Sequence, residues 1–172
     1  MLKIIQCEIK YKQVMNFLKT TNLIPVLAIF TLIFAFGQKA EAQILEPVKW
    51  SYESVAQDDG TYQLVFTATM EKGWYVYSQD IEDGGPIPTT FEFDESKDFE
   101  LVGEIVERGE LIEKFDNMFD MNIKKYPNEV VFVATVKPIN LKAEISGYLT
   151  FMTCDDMRCL PPDDVDFEFT LE

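Results

Sequence analysis

Two cysteines, Cys154 and Cys159, are the side chains of this sequence best suited to covalent chemistry, and their spacing narrows what that chemistry is. They stand in the run GYLTFMTCDDMRCLPP, from Gly147 to Pro162. The third cysteine, Cys7, lies far upstream in a leader-like segment. A thiol pair can form a disulfide, exchange it, or bind a soft metal. Two thiolates fall short of the usual four ligands and the chain has no histidine, so neither a metal nor a cofactor is expected. A structural bridge is the commonest role of paired cysteines in an exported chain. Yet closing so short a loop removes only about 2 kcal/mol of unfolded-state entropy, against roughly 4 to 5 for a bridge spanning most of a domain. The pair is a weak staple or a reachable redox couple, and the residues alone leave both open.

Other chemistry is thinly represented. Without histidine there is no Ser-His-Asp or Cys-His nucleophile pair, no HExxH zinc site and no imidazole base. Gly84-Gly85-Pro86 lacks the Lys-Ser/Thr of a phosphate-cradling loop and reads as a turn. Carboxylates are abundant, but no spacing singles out a pair for glycoside chemistry.

The elements that must position the cysteines are strands. Tyr148 to Thr153 has the β-branched and aromatic content of one, and Val165, Phe167, Phe169 and Leu171 alternate with polar residues as another. Pro161 and Pro162 interrupt ladder bonding between them, which places the cysteines at the mouth of a turn. Upstream, Val48 to Val55 and Tyr62 to Ala68 flank Asp58-Asp59-Gly60 and predict an opening hairpin. Further strands are expected at Trp74 to Tyr77, Thr89 to Phe93, Phe99 to Val106, Glu110 to Phe115 and Val130 to Val136. No segment sustains a helical apolar period. About eight short strands at intervals of roughly ten residues predict an all-β, antiparallel immunoglobulin-like β-sandwich. The stretch Asp116 to Asn122 stands apart as a loop carrying the large apolar residues Met118, Phe119 and Met121. It either covers something or belongs to the core.

Residues 1–42 have the three-part character of a secretory signal peptide. Lys3, Lys10, Lys12 and Lys19 precede the apolar run Leu23 to Phe36, and Ala40-Glu41-Ala42 gives a small-x-small site before Gln43. Met15 is an alternative start. The apolar run, about 14 residues with a proline, is short of the ~20 that a membrane span needs. Residues 43–172 are then the expected single domain, periplasmic or secreted after cleavage near Ala42 and Gln43. The domain is strongly acidic, with ten basic and 28 acidic residues, so nucleic acid and anionic membranes are poor partners.

The run at 147–162, GWYVY at Gly73 to Tyr77 and DNMFDMNIKKY at Asp116 to Tyr126 together resemble the N-terminal periplasmic domain of the thiol:disulfide interchange protein DsbD, also labelled the disulfide bond corrector family. The likeness extends over nearly all of the chain after the leader. It implies an immunoglobulin-like fold whose cysteine pair takes electrons from a membrane-embedded donor and passes them to thioredoxin-like periplasmic proteins. By resemblance, Cys154 and Cys159 are the redox pair, and Phe119 is the aromatic of a cap loop together with Met118 and Asp116. Tyr75 and Tyr77 match aromatics lining the site. The cysteine spacing is one residue shorter than in the best-known members. The membrane donor is expected to be a separate protein, and the domain to act as a monomer with no nucleic-acid partner.

Local charge sets the expected reactivity. Asp155, Asp156, Asp163 and Asp164 disfavour a thiolate, and Arg158 reads as the only nearby cation, so exchange is expected inside a docked complex. The rival reading is an extracellular immunoglobulin-like binding module with a purely structural disulfide.

Overall fold

Leu64, Phe66 and Ala68 are fully buried while Val65 and Thr67 between them are not, the two-residue period of a strand with one face in a core. The computed structural model describes residues 45–140 and 142–171, so the expected signal peptide and its cleavage site lie outside the described residues. β1 (Val48–Ala56) and β2 (Tyr62–Met70) form the opening hairpin, with Val48 opposite Met70 and Ala56 opposite Tyr62. β2 pairs along its length with β9 (Glu129–Pro138), and β9 carries β5 (Phe99–Leu101) and β6 (Val106–Gly109) on its other edge. A second sheet has the order β12 (Asp163–Thr170), β10 (Glu144–Phe151), β4 (Thr90–Phe93). A third has the order β11 (Thr153–Cys154), β3 (Tyr75–Tyr77), β8 (Met121–Pro127), β7 (Ile112–Asp116).

All these pairings are antiparallel, and the described residues form an all-β, immunoglobulin-like sandwich. Its main core joins the first two sheets. Leu64, Phe66, Phe132 and Val136 from one face Ile145, Leu149, Phe167 and Phe169 from the other. The phenylalanines meet edge to face, Phe66 with Phe167 at 4.9 Å and with Phe169 at 5.5 Å. Each such contact is worth about 0.5–1.5 kcal/mol beyond the burial itself. Gly147 is required at the centre of β10. A Cβ there would stand 2.1 Å from the Glu92 carbonyl oxygen and 2.8 Å from the Phe167 ring.

Among the described residues twelve strands rather than about eight are present, and three departures from the sequence reading have local causes. The single strand expected from Phe99 to Val106 is broken at Gly103, whose φ of 75° is open to glycine and ends the pairing before β6 resumes it. The strand expected from Tyr148 to Thr153 stops at Phe151, and after Met152 the chain leaves the second sheet to join the third as β11. The loop expected from Asp116 to Asn122 is tighter than that. Asp116 ends β7 directly opposite Met121, which begins β8, and only residues 117–120 form the turn. Asp120 takes a φ of 56° there, a conformation that Asp tolerates better than most residues.

Candidate functional site

The third sheet positions the cysteines. β11 is two residues long and pairs with β3, setting Thr153 opposite Val76 and Cys154 opposite Tyr75. The Thr153 hydroxyl donates to the Tyr75 carbonyl at 2.9 Å, securing this short contact. β3 is buried on both faces: Val76 belongs to the main core, while Tyr75 and Tyr77 project into a second, smaller cluster with Ile123 and Cys154. Ile81, Phe119, Met121, Met152 and Cys159 pack against that cluster.

Cys154 and Cys159 are joined as a disulfide across a four-residue turn. Hydrogen bonds other than the sulfur link define the turn. The Asp155 amide donates to the Arg158 carbonyl at 2.9 Å, and the Leu160 amide to the Thr153 carbonyl at 3.0 Å. The Asp155 carboxylate accepts the amides of Met157 and Arg158, each at 2.8 Å, and these bonds hold its pKa below the usual carboxylate value. The turn is therefore braced by backbone and carboxylate hydrogen bonds in addition to the disulfide.

The two sulfurs differ in environment. Cys154 is fully buried, and the Tyr77 hydroxyl donates to its Sγ at 2.9 Å. Cys159 is half-buried, and its Sγ lies 3.9 Å from the Met118 thioether sulfur. Burial raises the Tyr77 pKa far above the ordinary phenol value, so the hydroxyl keeps its proton to donate. Tyr75 is also raised, chiefly by burial. Its ring stands edge-on to Tyr77 at 5.6 Å, and its hydroxyl donates to the Asp155 carbonyl at 3.2 Å.

Phe119, half-buried at the β7–β8 turn, meets the Tyr77 ring edge to face at 6.3 Å. The Asp116 carboxylate accepts the Met118 amide at 2.8 Å and so shapes that turn. Met118 itself is 57% exposed and Met157, inside the cysteine loop, 85% exposed. The half-buried Cys159 is thus flanked by apolar groups held in solvent, a surface suited to covering by another protein. An open cleft of about 520 Å³ lies alongside, lined by Tyr75, Lys114, Phe115, Asp116, Asn117, Met118, Lys125, Asp155 and Asp156.

The cations are arranged differently from the sequence reading. Arg158 turns to Asp155, Nε to Oδ2 at 3.4 Å, with its guanidinium 5.5 Å from the Trp74 ring centroid. It is not the only cation near the pair, because Lys125 lies over Tyr75 with Nζ 3.6 Å from the ring centroid. Burial lowers the Lys125 pKa. Asp164, expected to crowd the thiols, has its carboxylate bonded by the Thr150 hydroxyl at 2.6 Å.

Sequence reasoning missed Lys125 because β8 itself went unrecognised. It also missed Glu107, which accepts the Ser78 hydroxyl at 2.8 Å, the Tyr126 hydroxyl at 2.6 Å and the Gln79 amide. Glu107 ties β6 to the end of β3 and to β8, and nothing local distinguishes it from the many other acids. Among the described residues no group of three His, Cys, Asp or Glu side chains could hold a metal.

Residues 41–171 match the family described as thiol:disulfide interchange protein DsbD, N-terminal. The fold is similar to that of the Neisseria meningitidis DsbD N-terminal domain in its reduced form. The TM-score is 0.50 at 20% identity, covering 70% of this chain and 84% of that one. It is also similar to the N-terminal periplasmic domain of ScsB from Proteus mirabilis, with a TM-score of 0.51 at 16% identity, covering 74% of this chain and 47% of that one. No curated protein sequence matches the chain.

Proposed function

The chain belongs to the DsbD N-terminal family, and from that premise we propose that it relays electrons by thiol-disulfide exchange through Cys154 and Cys159. The observation that carries this reading is the asymmetry of the pair: one sulfur buried and hydrogen-bonded, the other half-exposed beside apolar groups in solvent. In accepting electrons, a partner thiolate attacks Sγ of Cys159 and the sulfur-sulfur bond breaks toward Cys154. The Tyr77 hydroxyl steadies the charge that develops on the departing Cys154 sulfur. The partner's second thiolate then attacks its own sulfur in the mixed disulfide and expels Cys159. Two electrons and two protons have passed to this chain. Delivery is the reverse: Cys159 attacks a partner disulfide, and Cys154 resolves the mixed disulfide.

The partners fitting this chemistry are thioredoxin-fold proteins on the delivery side and a membrane reductant on the supply side. The domain acts as a monomer in the periplasm or outside the cell, after removal of residues 1–42. Phe119, Met118 and Asp116 form the cap over the sulfurs, with Tyr75 and Tyr77 as its lining.

The test is incubation of the oxidised protein with a reduced thioredoxin-fold protein, counting free thiols while circular dichroism follows the fold. Two thiols in a folded domain are expected. No reduction without denaturant would favour the rival, an immunoglobulin-like binding module with a structural disulfide.

A further inference from the structure

We propose that the reduced site also binds one Cu(I) ion through the sulfurs of Cys154, Cys159 and Met118, an inference that rests on the pair being reducible. Two thiolates alone are a poor site without a third ligand; of the methionines near them in the chain, Met157 is 85% exposed and Met152 packs into the cluster around Cys154. The fold supplies a third ligand. The β7–β8 turn carries Met118 across to Cys159, with Sδ 3.9 Å from Sγ although 41 positions separate the two residues. Three sulfurs bound at about 2.3 Å around one ion in a trigonal plane stand roughly 4 Å apart, so this pair already has ligand spacing. Cys154 and Cys159 face each other across a single bridge. Once their bond is cut, rotation about Cα–Cβ opens them to the same spacing.

The donor set selects the ion. Thiolate and thioether sulfurs are soft and suit Cu(I), whereas zinc would want a fourth ligand. The chain has no histidine to provide it. The Asp116 carboxylate beside Met118 is engaged by that residue's own amide at 2.8 Å. The Tyr77 hydroxyl, bonded to the Cys154 sulfur, favours that sulfur as an anion. On binding, both thiols release their protons to solvent and the copper stays Cu(I), so no electron is transferred. The ion occupies the two sulfurs that exchange would use, and copper therefore arrests electron relay until a competing ligand removes it.

The experiment uses protein without residues 1–42, and so without Cys7, reduced with a phosphine and with two free thiols counted first; Cu(I) is presented in competition with the chromogenic chelator bicinchoninate. One Cu(I) per chain is expected for the reduced form and none for the oxidised form. Met118→Leu, at an exposed position where folding is not at stake, is expected to weaken binding by about 10- to 100-fold. Met157→Leu, in the same cysteine loop, is expected to leave it unchanged. One equivalent of Cu(I) should stop exchange with a thioredoxin-fold protein, and excess chelator should restore it. Equal affinity for wild type and Met118→Leu, or two free thiols with no copper uptake, would overturn the proposal while leaving thiol exchange standing. Failure of the two thiols to appear would overturn both.

Discussion

The Tyr77 hydroxyl donates a 2.9 Å hydrogen bond to Sγ of Cys154 inside a cluster where that sulfur has no exposure to solvent. A phenol proton stabilises an anionic sulfur more than it does a neutral disulfide sulfur, so the bond favours the reduced state. Tyr77→Phe should therefore shift the reduction potential of the pair to more negative values. Loss of a bond worth about 1.5–3 kcal/mol to a charged group corresponds to roughly 30–60 mV. An unchanged potential would show that the hydroxyl serves packing alone.

Burial raises the pKa values of Tyr75, Tyr77 and Tyr126, so each holds its proton more tightly in the folded than in the unfolded chain. Their contribution to stability is complete below the unfolded phenol pKa of about 10 and is lost as pH climbs beyond it toward the folded values. Denaturant unfolding at pH 9 and pH 11 should show stability falling with pH. Tyr77→Phe should flatten that fall, and an identical fall in the variant would contradict the assignment to Tyr77.

The strands and the cysteine turn were legible because their signals are local. Alternation in β2 and the diproline after Cys159 need no partner to be read. β8 was not legible because its two lysines interrupt the pattern. Lys125 lays its charge across the ring of Tyr75, a residue 50 positions away. The same limit hid the distinction between the two sulfurs. Nothing in CDDMRC says that the first is buried under Tyr77 while the second meets Met118, because both partners arrive through sheet pairing.

Phe119 sits half-buried at a turn, where it contacts the Tyr77 ring rather than the main core. If it acts as a cap, Phe119→Ala should leave the melting temperature nearly unchanged and raise the alkylation rate of the reduced cysteines several-fold. A core phenylalanine behaves oppositely, with a loss of about 3–5 kcal/mol on truncation. Strong destabilisation without faster alkylation of the folded form would remove the cap.

The exposure of the two sulfurs assigns their roles in the intermolecular step. Cys154→Ala leaves the half-exposed Cys159 without its resolving partner and should accumulate a mixed disulfide with a thioredoxin-fold protein on a non-reducing gel. Cys159→Ala leaves only a buried sulfur and should accumulate much less. Equal yields would abolish the asymmetry on which the exchange mechanism depends.

The reduction potential of Cys154 and Cys159, measured by equilibration against defined thiol-disulfide buffers while circular dichroism follows the fold, tests the central claim most directly. An exchangeable pair has a potential above about −300 mV, and the turn's own hydrogen bonds should keep the domain folded throughout. A potential below that value, or reduction accompanied by cooperative unfolding, would show a structural bridge and contradict the relay.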